Sequence, residues 1–169
     1  EFYDAYEGDK RNAWQEFITY GGLPRVISEH SDERKSLYLK NLITMTYLTD
    51  VIQRNNIQKD ISVLDDLLNI IASGIGALTN PTKLENTFAS VKHKKVSDST
   101  ISKYLSDFID AFILRKANQY DIKGEKYINT PLKYYFTDVG LRNAQLNFRQ
   151  QEETHLMENV IYNELCIRG

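Results

Sequence analysis

The stretch Val96-Ser-Asp-Ser-Thr-Ile-Ser-Lys-Tyr-Leu-Ser-Asp-Phe-Ile-Asp-Ala-Phe112 constrains the fold more than any other part of this chain. Ile101, Tyr104, Leu105, Phe108, Ile109 and Phe112 recur at three- and four-residue steps and predict one apolar helix face. Ser99, Ser102, Lys103, Ser106, Asp107 and Asp110 fall on the other. Strand patterns follow at once. Ile113 to Tyr120 predicts a first strand, Asp121-Ile-Lys-Gly-Glu-Lys126 a loop, and Lys133-Tyr-Tyr-Phe-Thr137 a returning strand. Ahead of the helix, Asn80-Pro81-Thr82 opens a short helical pattern through Leu84, Phe88 and Val91, and residues 92–97 read as a turn. Helix, turn, helix and hairpin in that order predict a winged helix-turn-helix.

Upstream, a helical pattern over about 11–20 ends at Gly21-Gly22-Leu23-Pro24. From Asp32 to Asn55, ten apolar residues including Leu37, Leu39, Ile43, Met45, Leu48 and Val51 predict a long helix buried on more than one side. A third helix over 61–73, capped by Ser62 or Asp60 and stopped by Gly74 and Gly76, opens the winged module. Beyond the hairpin, Arg149-Gln-Gln-Glu-Glu153 reads as a linker before an apolar helix from about Thr154. The expected fold class is mostly α.

Composition excludes several classes of function. With 169 residues and 41% hydrophobic content the chain can bury one good core or two small ones. No apolar run approaches the roughly 20 residues that span a bilayer, and the polar start Glu1-Phe-Tyr-Asp is no signal peptide, so the expected compartment is the cytoplasm with no membrane partner. The single cysteine, Cys166, rules out an internal disulfide, and three scattered histidines leave no set of zinc ligands. Charge is uneven. Residues 83–142 carry 11 Lys/Arg and 7 Asp/Glu, whereas the remainder carries 10 and 16 within a net charge of −2. A basic module in an acidic chain favours a phosphate-bearing partner such as double-stranded DNA.

Candidate chemistry is sparse. Ile61-Ser-Val-Leu-Asp-Asp66 could pass for an apolar strand ending in magnesium carboxylates, but no phosphate-loop glycines and lysine precede it, so it reads as helix. Gly21-Gly22 and Gly74-Ile-Gly76 lack the lysine and hydroxyl that such a loop requires. His30, His93 and His155 sit in no nucleophile setting. Tyr134-Tyr135 can stack on bases, yet strand alternation sends at least one to the core. The remaining candidate is a DNA-recognition surface of Lys92, Lys94, Lys95, Ser99, Thr100, Ser102 and Lys103. Asp98, Asp107 and Asp110 would repel phosphate there, so protein docking or a merely solvated face stays open.

The order Phe2, Tyr20-Gly-Gly-Leu-Pro24, Tyr38-Leu39, Asp50-Val-Ile-Gln-Arg54, Val96-Ser-x-x-Thr-Ile-x-x-Tyr-Leu105, Lys133-Tyr-Tyr-Phe-Thr-Asp-x-Gly-Leu-Arg-Asn143 and Glu158-Asn-x-x-Tyr-x-Glu-Leu-x-x-Arg-Gly169 resembles the carboxy-terminal part of predicted bacterial and archaeal AAA-type ATPases. The resemblance covers nearly the whole chain. It implies a helical lid-like region at 1–57, a winged-helix domain at 58–145, and at 146–169 a linker and the first helix of a nuclease-like domain. It also implies that ATP and magnesium bind in the full-length parent, ahead of Glu1, and not in this fragment. Arg25 becomes a lid-arginine candidate for nucleotide and Glu158 a metal candidate in an incomplete nuclease-like site. The implied role is non-catalytic, coupling nucleotide state to DNA or protein binding. Two rivals stand beside it: a stand-alone winged-helix transcription regulator whose helices 1–57 dimerise, and a pure protein-docking module. Met157, Val160, Ile161 and Leu165 further predict a surface open to self-association.

Overall fold

The computed structural model describes residues 2, 6, 8–57, 61–118, 132–149 and 152–169. Helix α1 (Lys10–Tyr20) starts on Asp9, whose side chain accepts from the backbone N–H groups of Arg11 and Asn12, and stops at Gly21 with φ of 78°. A one-turn α2 (Pro24–Ile27) begins on proline, whose missing N–H costs nothing at a helix start. The long helix expected next is present but not uniform. It runs as α3 (Asp32–Asn41), a π-helical segment (Leu42–Leu48) and α4 (Thr49–Arg54). The buried residues Leu39, Ile43, Leu48 and Val51 explain the interruption. The step from Ile43 to Leu48 is five residues, and a π turn, bonded i to i+5, brings such a step back onto one face. Burial gathers on that face, while Leu37 and Met45 stay in water at 60% and 71% exposure. Tyr38, Leu42, Tyr47 and Ile52 are partly buried against the same core, so Leu37 and Met45 are the apolar residues of this stretch that depart from the expected broad burial.

Helix α5 (Ile61–Ser73) buries Val63, Leu64, Leu67, Leu68, Ile71 and Ala72, the stripe that its periodicity dictates. The Asn80 side chain caps α6 (Pro81–Thr87) by accepting from Lys83 N–H at 2.7 Å. A second π-helical segment (Phe88–Lys92) follows, and the chain turns at His93 in the left-handed region. Ser97 caps α7 (Asp98–Asp110), accepting from Thr100 N–H at 3.3 Å. Ile101, Tyr104, Leu105 and Phe108 are buried as expected, but Phe112 is not. Ile113 N–H bonds to Phe108 O at 2.9 Å and closes the helix after Asp110, leaving Phe112 at φ 57° and 77% exposed.

Strands β1 (Leu114–Ala117) and β2 (Lys133–Phe136) pair antiparallel, with Leu114 opposite Phe136 and Ala117 opposite Lys133. The predicted loop Asp121–Lys126 and the end of the predicted first strand, 119–120, lie outside the described residues. Thr79, between α5 and α6, exchanges backbone hydrogen bonds with Leu132 at 2.8 and 2.7 Å and adds a bridge to β2. The described chain is thus mostly helical, with one small antiparallel hairpin.

Asp138 then caps α8 (Val139–Gln145), in which all seven residues are buried. Helix α9 (Glu153–Arg168) buries Leu156 and Asn159 and leaves Met157, Ile161 and Leu165 exposed at four-residue steps. A single core cluster runs from Val26 on α2 through Ile57 and Val63 to Ala144 on α8, continuous across position 57. Among the described residues no helix is long and apolar enough to cross a membrane.

Candidate functional site

The α7 face and the basic turn before it are built by α5, α6 and α7 together. Ser99, Ser102, Lys103 and Lys95 are exposed, and Thr100, Lys92 and Lys94 are partly so; none of the seven packs inward. Three of the four lysines are committed. Lys92 Nζ and Lys94 Nζ each lie 2.7 Å from a carboxylate oxygen of Asp66 on α5, and Lys94 also donates to Ser62 Oγ at 3.1 Å. Burial alone would raise the Asp66 carboxyl, but the hydrogen bonds and charge of the two lysines outweigh it and hold it below its ordinary value. Lys103 pairs with Asp107 at 3.2 Å one turn along, and Asp107 is itself only 8% exposed. Lys95 has no ion pair among the described residues. Asp66, Asp98, Asp107 and Asp110 therefore match the four lysines charge for charge. A shallow polar depression of about 490 Å³ lies between Ser62, Lys94, Lys95, Ser97 and Thr100.

The resemblance-based candidates sit elsewhere. Arg25 is exposed at the start of α2 with its guanidinium 4.9 Å above the Tyr38 ring. Glu158 on α9 accepts from Lys133 Nζ and from Tyr135 OH, both at 2.6 Å. Burial pushes its carboxyl up, yet these two donors more than reverse that and hold it low. Burial, followed by the bond to Glu158, pushes the Tyr135 phenol well above its usual range. Tyr135 stacks on Tyr162 at 4.3 Å, and both Tyr134 and Tyr135 are buried, so neither presents a ring to a base. No group of three His, Cys, Asp or Glu side chains gathers among the described residues.

Among the described residues neither glycine turn is a cradle for phosphate. Both glycine turns face carboxylates, which repel phosphate. A Cβ on Gly21 would collide with the Asp138 carboxylate, and one on Gly76 would lie 2.8 Å from Glu158 Oε2. Gly21-Gly22 instead crosses the start of α8. Asp138 accepts from the backbone N–H groups of Gly22 (2.8 Å), Gly140 (2.8 Å) and Leu141 (3.4 Å), and a Cβ on Gly140 would strike the Tyr20 carbonyl. Burial raises the Asp138 carboxyl against these three donors.

What sequence reading missed is the content of α8. Asn143, with no exposure, donates from Nδ2 to the carbonyls of Ile18 (2.8 Å) and Thr19 (2.9 Å), which the end of α1 leaves without helical partners. Arg142, 2% exposed, donates to Ala72 O at the end of α5 at 2.8 Å and to Asn143 Oδ1 at 3.1 Å. The run Asp-x-Gly-Leu-Arg-Asn is therefore a clamp on two helix ends. Asn159 does similar service for the hairpin, accepting from Phe136 N–H at 2.9 Å and donating to Phe136 O at 2.8 Å. The early signals were its place in the motif that ends at Arg142-Asn143 and three polar residues next to apolar ones in a segment without amphipathic period.

Residues 11–152 match a family described as a domain of unknown function, DUF8612. An uncharacterized protein of Haemophilus influenzae is 34% identical over 156 residues, covering 92% of this chain and 38% of its own length. An uncharacterized protein of Methanocaldococcus jannaschii is 30% identical over 159 residues, covering 91% of this chain and 34% of its own length. The chain thus spans little more than a third of these relatives. No solved structure matches it.

Proposed function

The chain belongs to the DUF8612 family, and from that premise we propose that it is a non-catalytic, winged-helix-bearing part of a AAA-type ATPase. It couples nucleotide state elsewhere in the protein to a partner held on the α7 face. One observation carries the reading. Helices α5, α6 and α7 precede a hairpin whose second strand is tied back to Thr79, so the order helix, bridge, helix, helix, hairpin closes on itself as a winged helix does. The relatives are long enough to hold a nucleotide-binding core besides this region.

The partner best supported is a protein. Four aspartates balance the four lysines of the face, and a face without excess charge releases few counterions on meeting phosphate. Exposed serines and a mixed-charge surface suit a polar protein contact. Duplex DNA is the second reading, favoured by Lys95, which has no ion pair among the described residues, and by the outward side chains of Ser99, Ser102 and Lys103.

Titration of the chain with labelled duplex at about 50 mM and about 200 mM salt separates the two. Protein docking predicts no saturable binding at the lower salt; a steep loss of affinity between the two would establish phosphate contacts instead. For the coupling, charge-reversing Lys103→Glu in the full-length protein should lower partner-stimulated ATP hydrolysis and leave the basal rate unchanged. A full-length protein that hydrolyses no nucleoside triphosphate would overturn the ATPase part.

A further inference from the structure

A cavity of about 800 Å³ opens where the Gly22–Pro24 turn, the junction of α7 with β1, and α9 meet. Phe17, Tyr47 and Phe112 give it an aromatic lining, Arg115 and Asn163 are among its polar residues, and Ile167 is at its edge. It shares no residue with the α7 face. Two of its polar residues are incompletely satisfied. The side chain of Arg115, a residue opposite Tyr135 in the hairpin, has no ion pair or hydrogen bond among the described residues, and its Nη1 is buried. Asn163 donates from Nδ2 to Phe136 O at 2.8 Å and to Thr137 O at 3.1 Å, which fixes the amide orientation, and its Oδ1 is buried without a partner among the described residues. Such orphans are rare in folded chains because each forfeits its hydration.

The carboxylates lining the cavity do not answer Arg115. Asp138 is held by three backbone N–H groups, and Glu164 pairs with Arg168 at 3.3 Å. Phe112 adds a third, independent anomaly. It occupies the left-handed position after α7 where glycine is favoured, and it holds its ring 77% exposed in the cavity lining. Strain and exposed aromatic surface kept together at a cavity are the marks of a binding residue.

We propose that this cavity captures the apolar C-terminal residue of a peptide. The terminal carboxylate takes Arg115, the N–H of the last residue takes Asn163 Oδ1 by displacing the side chains that cover it, and the side chain lies among Phe17, Tyr47 and Phe112. An anion for Arg115, a donor for Asn163 and an apolar group for the aromatic lining are what the cavity can take, and a C-terminal residue carries all three within a few bonds. A free amphiphilic acid shares the anion and the apolar group but not the donor.

Calorimetric titration of the intact chain with N-acetyl-phenylalanine, N-acetyl-phenylalanine amide and 3-phenylpropionate tests this. The acetylated acid should bind saturably, the amide about tenfold or more weaker for want of the charged acceptor, and phenylpropionate several-fold weaker for want of the N–H. Arg115→Met should abolish the preference for the acid, and Ile167→Glu, on an exposed position, should weaken binding by like charge without touching the core. Phe112→Gly should bind more weakly yet melt higher. Equal affinity for acid and amide, unchanged binding by both R115M and I167E, or no saturable binding at about 10 mM would overturn the proposal; phenylpropionate binding as well as the acetylated acid would overturn the peptide terminus in favour of free acids.

Discussion

Helices α7 and α8 are both rich in polar residues, and they use them in opposite ways. On α7, Ser99, Ser102, Ser106 and Asp110 face water over an apolar stripe; on α8, Arg142, Asn143 and Gln145 are as buried as Val139 and Leu141. The difference lies in partners. Water satisfies the α7 residues at no structural cost, whereas Arg142 and Asn143 are satisfied by carbonyls that other helices leave open at their ends. A solvated polar residue on α7 is replaceable for stability and available for recognition. One on α8 is neither, because its removal strands a buried group elsewhere.

The sharpest way to break this contrast is Gly140→Ala. Its added methyl meets the Tyr20 carbonyl, a backbone atom that can move only by pulling α1 away from α8, so a loss of about 4 kcal/mol or more is expected in denaturant unfolding. Asn143→Ala should follow at about 3 kcal/mol, since it orphans two carbonyls at the end of α1 and the Arg142 N–H that its oxygen accepts. The smallest effect belongs to the exposed side. Asp66 is held below its ordinary value in the folded chain, so its contribution is present in full above the unfolded carboxyl value of about 4 and fades as pH falls through the folded one. Asp66→Asn should cost less than about 1 kcal/mol near neutrality and flatten that acid limb of the stability profile. The same substitution frees Lys92 and Lys94, and any duplex binding should then steepen with salt by up to about two phosphates.

The contrast also explains what could be read in advance. Helix α7 announces itself because its apolar residues keep helical spacing and Ser97 stands where a cap belongs. Helix α5 does so by its stripe and by the glycines after Ser73. Helix α8 carries no such signal, since its partners Ala72, Thr19 and Ile18 lie 70, 124 and 125 residues away. The same distance hid the state of the basic turn: its lysines are visible in the sequence, but the carboxylate that engages Lys94 is 28 residues upstream. Phe112 was misplaced for a local reason. Its spacing fits the apolar face of α7, but a helix closed by the Ile113-to-Phe108 bond turns the next side chain outward, and spacing carries no information about closure.

The way the second strand is flanked has a consequence for solubility. In an antiparallel pair, alternate residues of a strand aim their backbone groups away from the partner. On β2 and its approach these are Leu132, Tyr134 and Phe136, and both ends of the row are filled, Leu132 by Thr79 and Phe136 by the amide of Asn159. Tyr162 OH covers Lys116 O on the other strand at 3.1 Å. A two-stranded sheet normally offers open edges to any extended chain that drifts past, and here the purchase left on β2 is a single residue wide, too short to template another strand. The hairpin is guarded by side chains from a distant helix in the way that larger sheets guard themselves with further strands.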